Sequence, residues 1–154
     1  MRKRRFLVSI IGGHECPEEL VVKAANCGRM VAEAGAVLVT GGLGGIMEAA
    51  SRGARESGGL SLGMIPGTDK DKANEFVDIV INTGLGNSRN TLVASTADLV
   101  VAFPGRYGTL SEIGFALNAG IPVFGLGTWD IRGVQPLEGP DDLRRVLKEH
   151  MERA

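Results

Sequence analysis

The chain has 154 residues, of which 44% are hydrophobic, and its formal net charge is −1. This length suits one domain with its own core, which we expect to span residues 1–154. The near-neutral charge argues against a surface built to bind nucleic acid or an anionic membrane. The apolar run after the basic start ends at Gly12, with neither a cleavage site nor a membrane-spanning length. We therefore expect a soluble, cytoplasmic protein.

Short apolar runs alternate with segments of helical periodicity along the chain. We predict strands at residues 6–11, 36–40, 60–65, 77–81, 98–103 and 121–126. We predict helices at residues 17–34, 46–57, 87–96, 110–119 and 140–153. Continuous apolar strands that alternate with helices indicate a parallel sheet with helices on both faces. Because crossovers are right-handed, we predict a Rossmann-like α/β three-layer sandwich of about six strands, in the order 3-2-1-4-5-6.

Three glycine-rich turns follow predicted strands and should meet at the carboxyl edge of the sheet. Backbone N–H groups at the start of a helix have no partner inside the helix, so such turns favour a bound phosphate. The residues that we expect to bind the phosphate or the rest of the ligand are Gly12, Gly13, Gly41, Gly42, Gly44, Gly45, Gly105, Arg106, Tyr107, Gly108 and Thr109. The dinucleotide fingerprint is incomplete after the first strand, and no acidic residue ends the second strand. A mononucleotide or another phosphorylated small molecule therefore fits better than a dinucleotide.

Arg89 and Glu112 are the candidate chemical residues, and each has two interpretations. Glu112 either closes a capping box with Thr109 or acts on a bound substrate. Arg89 either binds a phosphate or ribose oxygen with its guanidinium fork or is a surface cation. Arg106 either adds a cation to the pocket or fills space that a substrate would need, and Tyr107 either stacks on a base or packs. No metal site is predicted, because the sequence has no cluster of Cys and His.

The turn and helix start at residues 104–112, Pro-Gly-Arg-Tyr-Gly-Thr-Leu-Ser-Glu, resemble the PGGxGTxxE signature of the LOG-type family. Arg89 stands where that family has the arginine of its second motif, and residues 41–48 resemble its glycine-rich loop. The resemblance covers most of the chain and is closest to a short branch with molybdenum-cofactor carrier proteins and DNA-processing-protein-related domains. Two positions depart from the family pattern: Arg106 replaces the second glycine, and Asn90 replaces the lysine that usually follows the arginine.

The resemblance implies a Rossmann-like fold and two alternative functions. In LOG-type phosphoribohydrolases the matching pair, here Arg89 and Glu112, cleaves the N-glycosidic bond of a nucleoside 5′-monophosphate. Glu112 would assist the attacking water or stabilise an oxocarbenium-like sugar, and Arg89 would hold the substrate. The alternative is a non-catalytic carrier or sensor of a phosphorylated cofactor, and its ligand is then a nucleotide or a molybdopterin-type molecule.

The resemblance also implies a homodimer or a homotetramer. Neither function requires a resident cofactor. The lysine decarboxylase label once given to this family is rejected, because no lysine stands in a context that would anchor pyridoxal phosphate, and the glycine turns suit phosphates better. The sequence leaves open the roles of the polar segment at residues 68–75 and of the connection at residues 127–140.

Overall fold

A parallel β-sheet of seven strands forms the centre of the protein in the computed structural model, which describes residues 3–154. Met1 and Arg2, where the predicted domain and its basic run begin, lie outside the described residues. In chain order the strands are β1 (Leu7–Ile11), β2 (Val37–Thr40), β3 (Leu60–Ile65), β4 (Ile79–Asn82), β5 (Leu99–Ala102), β6 (Val123–Gly125) and β7 (Val134–Pro136). Their order across the sheet is β4-β3-β2-β1-β5-β6-β7, and every neighbouring pair is parallel.

Five α-helices cover the two faces of the sheet within the described part of the chain. They are α1 (Glu18–Glu33), α2 (Ile46–Glu56), α3 (Asn90–Thr96), α4 (Tyr107–Asn118) and α5 (Pro140–Arg153), with short 3-10 turns at Lys70–Lys72 and Gly86–Arg89. α1, α2 and α5 contribute to one core cluster, and α3 and α4 contribute to the other. Among residues 3–154, no helix has both the length and the apolar character needed to cross a membrane.

The alternation of side chains along the strands divides the core between the two faces. Val8 and Ile10 of β1 are buried in the cluster with α1, α2 and α5, whereas Ile11 is buried in the cluster with α3 and α4. Both faces of this strand are apolar because helices cover the sheet on both sides. α1 and α2 approach closely at Gly28, where an added Cβ would lie 2.0 Å from the carbonyl O of Ala50. A side chain at this position would push the two helices apart.

The predicted Rossmann-like parallel sheet with helices on both faces is confirmed, and its strand order differs from the prediction in two respects. β4 pairs with β3 at the edge of the sheet instead of lying beside β1, and β5 takes the position beside β1. β7 is an additional strand within the connection at residues 127–140. The partly exposed Ile79 and Ile81 of β4 are the physical sign of an edge strand, because such a strand is incompletely covered by its neighbours.

Two helix starts also differ from the prediction. α4 begins at Tyr107 rather than at residue 110. The helix predicted at residues 87–96 is divided into the 3-10 turn Gly86–Arg89 and the shorter α3. Because Arg89 belongs to the 3-10 turn and Tyr107 opens α4, both differences lie at the carboxyl edge of the sheet.

Candidate functional site

A cavity of about 1080 Å³ opens at the carboxyl edge of the sheet. β1 lies between β2 and β5 at the centre of this edge. From β1 the chain continues to β2 on one side, and it later returns to β5 on the other side, which leaves a crevice between the loops. In open parallel sheets this crevice is the usual place for a ligand. Most of the residues that line it belong to the end of β1, to the turns after β1, β2 and β5, to the 3-10 turn Gly86–Arg89 and to the first turns of α3 and α4. The cavity is therefore the candidate functional site.

Backbone hydrogen bonds join the three glycine turns at this edge. The Gly13 N–H donates to the Pro104 carbonyl at 2.9 Å, and the Ile46 N–H donates to the Gly13 carbonyl at 3.1 Å. The turn after β1 therefore holds both the turn after β5 and the start of α2. Gly45, with a φ of 64°, permits this contact, because an added Cβ there would lie 2.3 Å from the Gly13 carbonyl O.

The first turn of α4 supplies unpaired N–H groups at the cavity wall. Tyr107, Gly108 and Thr109 open the helix, and the side chain of its N-cap residue, Arg106, makes no capping hydrogen bond. The N–H groups of a first helical turn have no acceptor inside the helix and carry the positive end of its dipole. Gly105 precedes this turn and packs closely against Thr109, since an added Cβ would lie 2.0 Å from Thr109 Oγ1. The turn is therefore suited to an anion such as a phosphate.

Glu112 lies one turn further along α4 and is only 8% exposed, with its side chain at the cavity wall. The capping-box interpretation is wrong, because the helix begins at Tyr107 and has no side-chain cap. Within residues 3–154, no salt bridge engages the Glu112 carboxyl. Burial raises its pKa to about 8, although the positive charge of Arg89 opposes this change. Glu112 is therefore mostly the neutral acid at neutral pH.

Arg89 is buried at the same edge, and other groups of the protein already engage its guanidinium. Nε donates to the Met64 carbonyl at 2.8 Å, Nη2 donates to the Gly41 carbonyl at 3.4 Å, and Nη1 donates to Oδ1 of Asn90. The surface-cation interpretation is wrong, because Arg89 is 8% exposed. Burial lowers the pKa of the guanidinium, and the charge of Glu112 acts in the opposite direction. Arg89 thus connects the ends of β2 and β3 to the start of α3.

Asn90 and Ser111 are cavity residues to which the sequence analysis assigned no binding role. Asn90 Nδ2 donates to Ser111 Oγ at 3.3 Å, and Ser111 Oγ donates to the Gly108 carbonyl at 2.6 Å. These bonds connect α3 to the first turn of α4. Each of the two residues is the sequence neighbour of a predicted site residue, Arg89 or Glu112, and this proximity is the signal that could have identified them.

One aromatic ring lines the cavity at its mouth, and a second ring lies beside it outside the cavity. Tyr107 lines the cavity and is 79% exposed, so it is not a packed residue. Its ring centroid lies 6.2 Å from that of Trp129, whose Nε1 donates to the Gly105 carbonyl at 3.1 Å. Arg106 is exposed beside them and also lines the cavity. This side of the opening is therefore aromatic and positively charged.

The structure brings most of the predicted site residues together around the cavity. Those that line it are Gly12, Gly13, Gly41, Arg89, Gly105, Arg106, Tyr107, Gly108, Thr109 and Glu112. Gly42, Gly44 and Gly45 do not line it and instead shape the turn before α2. Gly42, with a φ of 77°, approaches Ile65, and an added Cβ would lie 2.8 Å from that side chain. In the described residues, no three His, Cys, Asp or Glu side chains form a group that could hold a metal ion.

The fold and the cavity together define a class of protein. A parallel sheet covered by helices, with glycine turns and an uncapped helix start at its carboxyl edge, is typical of Rossmann-like proteins that bind phosphorylated ligands. Residues 5–152 match the SLOG cluster4 family, and the chain belongs to that family. The LOG-type resemblance of residues 104–112 is thereby confirmed.

Two proteins similar in sequence differ in how far the similarity extends. The chain is 40% identical over 136 residues to an uncharacterized protein of Archaeoglobus fulgidus. This alignment covers 88% of this chain and 89% of that protein. It is 33% identical over 110 residues to a cytokinin riboside 5′-monophosphate phosphoribohydrolase of Arabidopsis thaliana. That alignment covers 70% of this chain but 47% of the plant protein, so the chain spans about half the length of this relative.

Solved structures of similar fold cover the chain almost completely. The molybdenum cofactor binding protein of Rippkaea orientalis has a TM-score of 0.91 and 31% identity, covering 97% of this chain and 99% of that one. The Moco carrier protein of Chlamydomonas reinhardtii has a TM-score of 0.88 and 30% identity, covering 98% and 100%. DNA processing protein A of Helicobacter pylori, at a TM-score of 0.73 and 18% identity over 94% and 80% of the chains, shares the fold alone.

Proposed function

We propose that this protein binds a phosphorylated, nucleotide-like small molecule at the carboxyl edge of its sheet and carries it without chemical change. The observation that carries the proposal is the meeting of three glycine turns at one cavity, with the first turn of α4 in its wall. Such a helix start favours a phosphate. A volume of about 1080 Å³ also leaves room for the remainder of a nucleotide-sized ligand.

The two buried ionisable residues at the cavity wall support binding rather than bond cleavage. Arg89 donates to two protein carbonyls and to Asn90, so its guanidinium holds the site together. Glu112, with a pKa of about 8, is mostly neutral at neutral pH, and a neutral acid does not repel a nearby phosphate as a carboxylate would. A similar fold over nearly the whole chain, at 31% and 30% identity, to a molybdenum cofactor binding protein and a Moco carrier protein supports a molybdopterin-type cargo.

Calorimetric titration tests the binding proposal, with AMP, neopterin monophosphate and inorganic phosphate as probes. We expect the phosphorylated probes to bind and unphosphorylated adenosine, the matched control, to bind far more weakly. At a concentration of 100 times its Kd, a bound probe should raise the free energy of unfolding by about 2.7 kcal/mol. The proposal would be contradicted if AMP, neopterin monophosphate and inorganic phosphate all failed to bind to the protein and to stabilise it.

Hydrolysis of an N-glycosidic bond is the second candidate function, and the position of Glu112 favours it. A buried acid with a raised pKa at a cavity wall is the kind of group that exchanges protons with a substrate near neutral pH. In its ionised form Glu112 would assist a water or stabilise an oxocarbenium-like sugar, and Arg89 would hold the substrate. The Arabidopsis thaliana relative is named as a phosphoribohydrolase of a riboside 5′-monophosphate.

Release of free base from a panel of nucleoside 5′-monophosphates separates the two candidates. The carrier proposal predicts binding without release. The hydrolase candidate predicts release that falls by roughly a hundredfold or more in Glu112→Gln. Glu48→Gln, in the first turn of α2 and outside the cavity, is the matched control and should leave the rate of release unchanged.

We also propose that the protein is a cytoplasmic homodimer or homotetramer. Exposed apolar side chains on β4 and around α3 support self-association: Ile79, Ile81, Leu85 and Leu92. Size-exclusion chromatography with light scattering measures the mass in solution, and a monomeric mass would contradict the proposed assembly. Nucleic acid is not part of the proposed function, because the likeness to DNA processing protein A concerns the fold alone.

A further inference from the structure

Tyr107 places an aromatic ring at the mouth of the cavity without burying it in the protein. The residue is 79% exposed, and it belongs to neither core cluster. Aromatic side chains usually bury a large apolar area, so a ring exposed to this degree keeps most of its surface available. Because Tyr107 also lines the cavity, a ligand in the cavity can reach that surface.

Trp129 supports the Tyr107 ring from outside the cavity. The two centroids lie 6.2 Å apart and the ring planes are tilted by 30°, which is within the usual range for an aromatic pair. Trp129 is itself held by its Nε1, which donates to the Gly105 carbonyl at 3.1 Å. Gly105 leads into the first turn of α4, so the aromatic pair is joined to the turn that supplies the N–H groups.

We propose that Tyr107, supported by Trp129, is the stacking surface for a planar heteroaromatic ring of the phosphorylated ligand. This inference rests on the proposed function, because a phosphate at the first turn of α4 brings the rest of the ligand close to Tyr107. Purine and pterin rings both stack on an aromatic face, whereas a sugar phosphate without a base has no such surface to offer. The site thus selects ligands that carry both a phosphate and a planar ring.

Calorimetric titration with AMP and with ribose 5-phosphate measures the contribution of the ring, because only AMP carries a base. We expect AMP to bind roughly tenfold more tightly, the size of one base stacked on an aromatic side chain. Tyr107→Leu keeps an apolar side chain without an aromatic ring and should lose this preference. Tyr107→Phe keeps the ring and should retain it. Since Tyr107 is exposed, circular dichroism should show that both variants are folded.

Fluorescence provides a second measurement, because Trp129 and Tyr107 are the single tryptophan and the single tyrosine of the chain. AMP should change the emission of Trp129, since the base stacks on the ring that Trp129 contacts. Ribose 5-phosphate should leave this emission nearly unchanged at the same fractional saturation. In Tyr107→Leu, AMP should lose its effect on the emission.

Failure of this inference differs from failure of the proposed function. If none of AMP, neopterin monophosphate, inorganic phosphate and ribose 5-phosphate binds to the wild-type chain, the proposed function fails. If both bind with equal affinity and Tyr107→Leu alters neither, the stacking role is overturned while the phosphate site stands. An equal loss of affinity for both ligands in Tyr107→Leu also overturns the stacking role, because the substitution then acts on the helix start.

Discussion

Glu112 is an acid buried at the wall of a cavity, and burial outweighs the nearby positive charge of Arg89 in setting its pKa at about 8. In the unfolded chain the same acid ionises near its ordinary value of 4.5. Between these two pH values the folded protein keeps a proton that the unfolded chain has released. The free energy of unfolding therefore falls as the pH rises from about 4.5 to about 8.

We predict that Glu112→Gln removes this contribution, because an amide does not ionise in this range. The variant should become progressively more stable than the wild type between pH 4.5 and about pH 8, by at most roughly 5 kcal/mol. Urea unfolding at a series of pH values measures the difference. Parallel curves for the wild type and Glu112→Gln would contradict the prediction.

Arg89 offers a second test at the scale of a single residue. Arg89→Lys keeps a positive charge but has one nitrogen in place of three, so it cannot donate to the Met64 carbonyl, the Gly41 carbonyl and Asn90 together. We expect the free energy of unfolding to fall by about 2 kcal/mol, because buried carbonyl groups lose their donors. Chemical denaturation measures this loss.

The control for this substitution is Arg132→Lys, since Arg132 is an exposed arginine outside the cavity. It should change the free energy of unfolding by less than about 0.5 kcal/mol. Similar values for the two variants would show that Arg89 does not connect the strand ends as its hydrogen bonds indicate.

At the scale of elements, the start of α4 depends on Gly105. Gly105→Ala would place a Cβ 2.0 Å from Thr109 Oγ1 and 3.0 Å from the Gly13 nitrogen, so the helix start must move away from the turn after β1. Since the N–H groups of this turn are the proposed phosphate site, we predict that affinity for inorganic phosphate and AMP falls by at least roughly tenfold. Calorimetric titration measures both affinities.

Gly114→Ala is the matched control, because it changes a glycine of the same helix where an added Cβ would meet no atom within 4 Å. It should leave phosphate affinity unchanged and stabilise the protein by about 0.5–1 kcal/mol, since alanine favours the helix interior. Unchanged phosphate affinity in Gly105→Ala would show that the start of α4 does not bind the phosphate.

At the scale of the whole molecule, the candidate site spans both halves of the sheet. The Gly13 N–H contacts the Pro104 carbonyl, and the Gly13 carbonyl accepts from Ile46. We therefore predict that a bound phosphate slows amide hydrogen exchange at residues 12–14, 41–46 and 104–109 together. Hydrogen-exchange mass spectrometry with and without AMP measures this effect. Protection confined to residues 104–109 would mean that the three turns respond independently.

Much of the fold could be predicted because strands that are buried on both faces are continuous apolar runs in the sequence. β1, β2 and β5 are continuous apolar runs, and each is followed by a glycine turn that ends at the same edge. Since the carboxyl ends of parallel strands share one edge, the sequence predicts that residues 104–109 and Gly13 lie close together.

The position of β4 and the surroundings of the two ionisable residues could not be predicted in this way. An apolar run of four or five residues does not reveal which strand it pairs with, so the predicted order puts β4 beside β1, whereas it pairs with β3 at the edge. The hydrogen bonds of Arg89 to Met64 and Gly41 join residues 25 and 48 positions apart, so the spacing of nearby residues in the sequence does not predict them.

The sequence alone therefore determined the class of fold and the edge of the sheet at which the glycine turns meet, but not the residue at which α4 begins. Those properties depend on periodicity and on turn residues, which are local. Only the tertiary structure decided that Arg89 is held by other parts of the protein and that Glu112 is a buried acid with a raised pKa. Burial and charge depend on which distant elements pack together, and that arrangement exists only in the folded chain.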